Sequence, residues 1–164
     1  MMADTATDTA GDPEARRQPR VAIDGPAGAG KSTVAKKLAE RLGFLHVDTG
    51  ALYRTVALAA KQAGASWEDE GHVARVAEEL VSERRIRLER SADGGAMRVI
   101  LDGEDVSTMI RSPEMSAGAS KVSAIAGVRR ALLDLQRQAG AAGGVVLEGR
   151  DIGTVVFPAA KCKI

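Results

Sequence analysis

The spacing of hydrophobic residues along the chain predicts strands and helices in alternation. Residues 20–24 form a short apolar run, and over residues 31–43 apolar side chains recur every three or four positions up to a glycine. This order predicts a strand, a glycine-rich loop and a helix with a glycine stop. A second apolar run at residues 44–47 and a second helical stripe closing at Gly64 repeat the arrangement. Strands that alternate with helices are typical of a parallel sheet.

A different pattern follows, in which a helix leads into a hairpin. The segments RIRLER and MRVIL alternate polar and apolar residues on either side of the turn Asp93–Gly95, as in an antiparallel pair with one solvated face. Within an alternating α/β chain, this predicts an inserted subdomain at about residues 66–111. Residues 112–114, Ser-Pro-Glu, are typical of a helix start. A helical stripe ending near Gly140 and the apolar run at residues 144–147 predict another helix and a strand buried on both faces.

Three of the predicted strands are followed by polar segments at their carboxyl ends. These segments are GPAGAGKS, DTGALYR and EGRD. In open α/β sheets, ligands bind at the carboxyl ends of the strands, so we expect all three segments to line one cleft. The predicted fold is an α/β core with a parallel sheet flanked by helices, made of residues 20–65 and 112–164, with the insert between them.

The first segment fits the pattern Gly-x-x-x-x-Gly-Lys-Ser, in which backbone N–H groups and a helix N-terminus cradle phosphates. Lys31 would reach the terminal phosphates of a nucleotide, and Ser32 would hold Mg²⁺. A glycine-rich turn without a ligand is the alternative, but such a turn does not require Lys-Ser or so many glycines. We therefore predict a nucleotide site. Its members are Gly25, Pro26, Ala27, Gly28, Ala29, Gly30, Lys31, Ser32 and Thr33.

The loop alone does not separate phosphoryl transfer from hydrolysis or sensing. A guanine-specific switch needs an Asn-Lys-x-Asp element, yet the sequence contains no asparagine, and no Asp-x-x-Gly follows the loop. The other two strand ends carry Arg54 and Arg150, with Asp48, Glu148 and Asp151 beside them. Arginine binds an acceptor phosphate well because its planar fork is bidentate. Taken singly, a solvated Arg54 and a surface ion pair between Arg150 and Asp151 are equally compatible with the sequence.

Composition narrows the classes of partner. Twenty-three basic and 22 acidic residues leave a net charge of +1, and only 2% of residues are aromatic, so we expect no polymeric nucleic acid as a partner. Residues 1–19 are polar, which predicts a disordered tail. No stretch has the ~18 apolar residues that a membrane span needs, so we expect a cytoplasmic protein with no membrane partner. Cys162, the single cysteine, excludes an internal disulfide and is expected to be a buried thiol.

Taken together, the motifs resemble those of bacterial cytidylate kinases, which phosphorylate CMP and dCMP from ATP. The resemblance rests on GPAGAGKST, DTGALYR, the hairpin insert, ASKVSAIAGVR and EGRDIGTVVFP, in this order over residues 20–164. It implies a P-loop kinase core with a small α+β insert that binds the nucleoside monophosphate. The implied activity is transfer of the ATP γ-phosphate to CMP or dCMP by a monomer, with Mg²⁺. Another small P-loop kinase and a nucleotide-binding fragment without turnover are the alternatives.

The resemblance also implies a site for the acceptor's phosphate. Thr49 and Arg54 match residues that hold the α-phosphate of the acceptor, and Arg150 matches an arginine at the same group. Together with Lys31, the two arginines would be catalytic, because they would spread the charge that develops on the transferred group. Glu148 matches an acidic position that organises Mg²⁺ through water.

Around the base, the resemblance implies Ser120, Arg129 and Asp151. Cytosine presents an amino donor and acceptors at N3 and O2, so carboxylate or hydroxyl oxygens suit the amino group and an arginine suits the acceptors. Uracil reverses the donor pattern, and the mismatch would cost about 1–3 kcal/mol. An ordinary helix surface is the alternative for the serine and Arg129. Tyr53 belongs to the family's Tyr-Arg pair, where we expect packing.

Two departures from the family matter. Many members carry proline where this chain has Ala126, which we expect to change only the start of a helix. The resemblance stops at Ile164, within what resembles the next core strand. The sequence therefore predicts a C-terminally truncated kinase without the last strand, flanking helices and arginine-bearing lid. We expect residues 1–164 alone to bind nucleotides weakly, to turn over almost no substrate and to expose apolar faces that favour aggregation.

Overall fold

The fold is built on a four-stranded parallel sheet, seen in a computed structural model that describes residues 18–164. The strands are β1 (Arg20–Asp24), β2 (Leu45–Asp48), β6 (Val145–Gly149) and β7 (Cys162–Lys163), in the order β2–β6–β1–β7. This sheet confirms the predicted α/β fold class. Of the tail predicted at residues 1–19, all but the last two residues lie outside the described part of the chain.

The register of this sheet brings three strand ends level. β1 and β6 run parallel with Asp24 opposite Gly149, and β2 and β6 run parallel with Asp48 opposite Glu148. β6 lies between two strands, and its residues 145–148 are all buried, as its apolar run predicted. Since loops that follow parallel strands leave the sheet at the same edge, the segments after β1, β2 and β6 meet there.

Helical segments cover both faces of the sheet. On one face, α1 (Lys31–Leu42) packs through Ala35 and Ala39 against β1 and β6. On the other, a single π-helical turn (Ile152–Val156) buries its first and last side chains among the inward residues of the strands. No helix among residues 18–164 combines the length and the apolar character that crossing a membrane would take.

A second, larger core joins the remaining helices to an antiparallel sheet. The helices are α2 (Gly50–Gln62), α3 (Glu70–Ser82), α4 (Pro113–Val122), α5 (Ala126–Ala139) and a 3₁₀ turn (Met109–Arg111), and the strands are β3 (Ile86–Arg90), β4 (Met97–Leu101) and β5 (Glu104–Asp105). α2 packs against α4, and α3 packs against α5. Residues 66–111 contribute α3 and the antiparallel sheet to this shared core, and their status as a separate insert stays a prediction.

The start of α4 follows from its sequence. The Ser112 hydroxyl oxygen accepts a hydrogen bond from the backbone N–H of Met115 at 3.2 Å, and Pro113 is the first helical residue. A serine cap followed by proline satisfies or removes N–H groups that have no partner within a helix. The helix start predicted at residues 112–114 is therefore confirmed. Ala126 is the first residue of α5, so the departure from the family at this position falls at a helix start.

The buried position predicted for Cys162 is wrong, because the side chain is exposed. Cys162 lies in β7, a two-residue strand that pairs with β1 at the edge of the sheet, and both of its residues are exposed. An edge strand has a neighbour on one side only, so fewer side chains surround the residues of β7.

One close approach in the larger core involves the single tryptophan of the chain. The indole Nε1 of Trp67 donates to the carbonyl oxygen of Ala57 at 3.0 Å. A β-carbon at Gly118 would lie 2.6 Å from Cζ2 of Trp67 and 2.9 Å from Cβ of Ala57. The absence of a side chain at Gly118 therefore allows α4 to approach both α2 and the indole.

We expect Gly118→Ala to lower the free energy of unfolding by about 1–3 kcal/mol, the usual cost of overpacking a core. Trp67 fluorescence should change as well, because the ring must move. Urea unfolding followed by fluorescence and circular dichroism measures both effects. Gly71→Ala is the matched control, since a β-carbon there would meet nothing closer than Asp69 Oδ1 at 3.8 Å. Equal unfolding midpoints for the two variants would contradict this packing.

Candidate active site

A glycine-rich loop connects β1 to α1 at the edge where the strand ends meet. Gly28 and Gly30 have φ angles of 77° and 83°, in the left-handed region that glycine adopts most readily. Gly30 directly precedes α1, and no side chain caps the first N–H groups of this helix. These N–H groups and the positive end of the helix dipole are therefore available to an anion.

Lys31, the first residue of α1, reaches back across the loop. Its Nζ donates to the carbonyl oxygen of Pro26 at 2.6 Å, and a β-carbon on Gly25 would lie 3.4 Å from its Cδ. The ammonium group is thus held over the loop, where a phosphate would bind.

Glu148, at the end of β6, is the buried carboxylate of the site. Only 2% of its surface is exposed. Its Oε2 accepts a hydrogen bond from Ser32 Oγ at 2.8 Å, and its Oε1 lies 2.7 Å from Nε2 of His46. His46 belongs to β2, the strand paired with β6. Each carboxylate oxygen has a partner, as a buried charge requires.

The donor set at this point fits Mg²⁺ organised through water. Ser32 donates its hydroxyl proton to Glu148, which leaves the lone pairs of its oxygen for a hard cation. Within residues 18–164, no group of three His, Cys, Asp or Glu side chains converges in a way that could hold a metal. Mg²⁺ takes many of its ligands from phosphates and water, and the hydroxyl of Ser32 is a ligand that fits it.

Thr49, which follows β2, is only 1% exposed. Its backbone N–H and its hydroxyl both donate to the carbonyl oxygen of Glu148, at 3.0 Å and 2.8 Å. A phosphate that took the hydroxyl proton of Thr49 would have to replace the second bond. A β-carbon at Gly149 would overlap this hydroxyl, so the glycine leaves the space that Thr49 occupies.

Arg54, on α2, is oriented by an ion pair. Its Nη2 donates to Oδ2 of Asp48 at 2.6 Å, and both side chains are partly buried. The Nε of Arg54 is buried and has no hydrogen-bond partner among the described residues. Because this Nε is inaccessible, a bound anion would satisfy it only after the side chain moved, whereas the ends of the guanidinium are the part that an anion can reach.

Three residues predicted around the base lie on three different elements. Ser120 is on α4 and its hydroxyl donates to the carbonyl oxygen of Ser116 at 3.3 Å. Arg129 is on α5 and forms an ion pair with Asp151, which follows β6. The structure thus places a cationic donor and an anionic acceptor side by side.

The segment after β6 turns sharply. Arg150 is exposed, and Asp151 has a φ angle of 57°, which is uncommon for a residue with a β-carbon. The carbonyl oxygen of Asp151 accepts bonds from the N–H groups of Val155 and Val156, at 2.9 Å and 3.1 Å. The carboxylate of Asp24 accepts two further N–H bonds from this segment.

Tyr53 lines the same cavity as Arg150 and Asp151 and packs against the larger core, as expected. Burial raises the pKa of its hydroxyl above the usual range. The tyrosine is therefore neutral near pH 7 and retains a proton to donate.

Most of the predicted site residues line one cavity of about 650 Å³. They are Ala27, Gly28, Lys31, Ser32, Thr49, Arg54, Ser120, Arg129, Glu148, Arg150 and Asp151. Gly25 and Pro26 line a neighbouring opening, with Arg129, Arg150 and Asp151 again on its wall. Ala29, Gly30 and Thr33 line neither. The three strand-end segments thus meet in one cleft, and the ligand of each residue stays a prediction.

Sequence reasoning missed two residues of the site, Asp24 and His46. Asp24 occupies the carboxyl end of β1. Residues at the carboxyl ends of strands were the ones predicted to line the cleft, so the position of Asp24 in the sequence could have identified it. For His46, the only signal in the sequence was the period-two spacing of a strand, which puts His46 on the same side of β2 as Asp48.

The phosphate loop, the parallel sheet and the arginine-lined cavity define an α/β protein with the P-loop kinase fold. The chain belongs to the cytidylate kinase family, whose sequence profile matches residues 21–164. This family is the one that the motifs resemble.

Individual relatives agree with the family. The cytidylate kinase of Citrifermentans bemidjiense is 52% identical over 143 residues, which are 87% of this chain and 59% of that protein. The cytidylate kinase of Solibacter usitatus is 55% identical over 144 residues, 88% of this chain and 58% of that protein. A bifunctional pantoate ligase/cytidylate kinase of a Synechococcus species is 49% identical over 148 residues. This chain therefore spans less than two thirds of the length of the curated cytidylate kinases that it matches.

The contact between Gly149 and Thr49 predicts that the two positions depend on each other. Gly149→Ala should force the Thr49 hydroxyl away from Glu148 and lower the free energy of unfolding by about 1–3 kcal/mol. Thr49→Ala removes the obstructing hydroxyl, so the double variant should cost less than the sum of the single variants, by about 1 kcal/mol. A double-mutant cycle measured by urea unfolding gives this coupling. Additive costs would show that the two groups do not interfere.

Proposed function

We propose that this protein transfers the γ-phosphoryl group of ATP to CMP or dCMP, giving ADP and CDP or dCDP. The observation that carries the proposal is that the phosphate loop, two arginines and the Arg129–Asp151 pair line one cavity. The relatives, cytidylate kinases and a bifunctional enzyme that includes one, are named for the same reaction and support it. The proposal includes action as a cytoplasmic monomer on small molecules, without nucleic-acid or membrane partners.

The donor nucleotide would lie at the phosphate loop. Backbone N–H groups of the loop and the N-terminal end of α1 would bind its phosphates, and Lys31 would exchange its bond to Pro26 for one to a terminal phosphate. Bound Mg²⁺ neutralises phosphate charge, and Ser32 and Glu148 are the residues that would hold it.

The phosphate of the acceptor would lie between Arg54 and Arg150. Asp48 holds Nη2 of Arg54, so a phosphate could bind the rest of the guanidinium without breaking this ion pair. The planar guanidinium fork matches two phosphate oxygens at once. Thr49 would donate its hydroxyl proton to this phosphate after giving up its hydrogen bond to the carbonyl oxygen of Glu148.

Ser120, Arg129 and Asp151 would select the base. The paired guanidinium and carboxylate offer donors next to an acceptor, and cytosine offers the complementary set: N3 and O2 as acceptors and an amino group as donor. Uracil places a carbonyl oxygen where cytosine has the amino group, which would leave the carboxylate facing an acceptor. The site therefore favours cytosine.

The transfer depends on positioning more than on acid–base catalysis. The acceptor phosphate is already ionised near neutral pH, so no residue has to remove a proton from the nucleophile. In-line attack on the γ-phosphorus spreads negative charge over its oxygens, and Lys31, Arg54 and Arg150 are the cationic groups that would stabilise it. The reaction requires no covalent bond to the protein.

The acceptor is tested by supplying MgATP with one compound at a time: CMP, dCMP, UMP, AMP, dTMP or shikimate. A coupled assay of ADP release gives the rate, chromatography identifies the product, and calorimetry gives each affinity independently of turnover. We expect CMP and dCMP to lead in both rate and affinity. Preference for another compound would indicate a different small P-loop kinase. Binding of ATP with no product and no selective monophosphate binding would indicate a nucleotide-binding module.

In a full-length protein, Lys31→Ala should lower turnover by about 10²–10³, because it removes one preorganised group that stabilises charge in the transition state. The unfolding midpoint should stay close to that of the wild type, since Lys31 hydrogen-bonds only within its own loop. Steady-state kinetics and thermal unfolding measure the two effects. Lys36→Ala, an exposed position on the same helix, is the control. Near-native turnover of Lys31→Ala would show that Lys31 is not the phosphate-binding lysine.

Arg129→Ala, again in a full-length protein, should raise the KM for CMP about tenfold or more, because hydrogen bonds to a charged group are lost, and should weaken discrimination against UMP. The affinity for ATP should change little, since Arg129 is proposed to contact only the base. Calorimetry with each nucleotide separates the two effects, with Arg75→Ala on the exposed side of α3 as control. Equal losses of ATP and CMP affinity would indicate a folding defect and remove the assignment.

A further inference from the structure

Asp24 is a carboxylate of the cleft to which the proposed reaction gives no role. It ends β1 and directly precedes Gly25, the first residue of the phosphate loop. Its two oxygens accept hydrogen bonds from consecutive N–H groups of the segment after β6: Oδ1 from Ile152 at 2.6 Å and Oδ2 from Gly153 at 2.8 Å. One side chain therefore connects the phosphate loop to the segment that carries the acceptor residues.

These two bonds accompany an uncommon backbone conformation. Asp151, just before the bonded peptide groups, has a φ angle of 57°, and such residues persist where their surroundings hold them. Asp24 supplies charge-assisted bonds at the next two residues. Gly153 leaves room for it, because a β-carbon there would lie only 3.2 Å from Oδ2 of Asp24.

The π-helical turn holds these peptide groups from their carbonyl side. Pairing with β1 fixes β6 as far as Gly149, the carbonyl oxygen of Asp151 accepts bonds from within the turn, and buried side chains anchor the turn in the core. The N–H groups of Ile152 and Gly153 instead donate outside the turn, to Asp24. Asp24 therefore fixes the amino side of the turn to the end of β1.

We propose that Asp24 is a positioning residue that couples the phosphate loop to the acceptor segment, defined as residues 150–153. This proposal rests on the proposed function, because it concerns binding of the acceptor by Arg150 and Asp151. Asp24 itself touches no substrate. Its carboxylate keeps the acceptor segment in the orientation that binds the acceptor. When the phosphate loop moves, Asp24 moves the acceptor segment with it.

The variant Asp24→Asn tests this role, because it keeps the size of the side chain but has one acceptor oxygen and no charge. We expect its dissociation constant for CMP, measured by calorimetry, to rise about tenfold, while that for a non-hydrolysable ATP analogue changes less than about twofold. A merely structural role would weaken the binding of both nucleotides equally. That result, or an unchanged affinity for CMP, would overturn the proposal.

Asp93→Asn is the matched control. Asp93 also accepts a backbone N–H bond, from Gly95 at 3.0 Å, but in the exposed turn of the hairpin. This variant should leave both dissociation constants unchanged. A loss of CMP affinity equal to that of Asp24→Asn would assign the effect to net charge and overturn the proposal.

A measurement on the unmodified protein decides the question if Asp24→Asn does not fold. Amide hydrogen exchange at Ile152 and Gly153 should slow about tenfold when the ATP analogue alone binds, since these amides share Asp24 with the phosphate loop. The amide of Gly95 should not respond. Unchanged exchange at both Ile152 and Gly153 would overturn the coupling.

The outcomes also separate this proposal from the proposed function. Wild-type protein that binds the ATP analogue but not CMP would contradict the acceptor assignment, while hydrogen exchange would still decide the coupling. Wild-type protein that binds CMP, with an Asp24→Asn variant indistinguishable from it, would contradict the role of Asp24 and leave the proposed function standing.

Discussion

The parallel register of β1, β2 and β6 is the constraint on which the site depends. Because Asp24 lies opposite Gly149 and Asp48 lies opposite Glu148, three loops leave the sheet at one level. A shift of β6 by one residue would turn Glu148 to the other face of the sheet, away from Ser32. The register is strongly specified because β6 is buried along its length and pairs on both sides.

Two arginines of the cleft are paired with carboxylates before any ligand binds. Arg54 pairs with Asp48, and Arg129 pairs with Asp151. An uncompensated ion in a cavity wall is costly, so these carboxylates keep the arginines in place. At these two arginines the proposed ligands would therefore exchange or extend existing pairs. Selectivity then depends on hydrogen-bond geometry, which distinguishes cytosine from uracil, more than on total charge.

The periodic elements could be predicted from the sequence, whereas contacts between distant segments could not. β1, α1 and β6 each carry an apolar pattern that begins or ends at glycine. The π-helical turn and the two-residue β5 are too short to show a period. The spacing of glycines and lysine identified the phosphate loop, but the acceptor roles required the family resemblance. His46 escaped notice because it meets Glu148, 102 positions away, only through the pairing of two strands.

α5 is fastened to the segment after β6 at two points. Towards its start, Arg129 pairs with Asp151, and about two turns further on Arg137 donates to the carbonyl oxygens of Val155 and Val156, at 3.1 Å and 3.2 Å. The helix and the segment are therefore held together along about two turns. On its other side α5 packs against α3, which leads directly into the antiparallel sheet. A continuous series of contacts thus joins the wall of the cleft to a sheet that lies outside it.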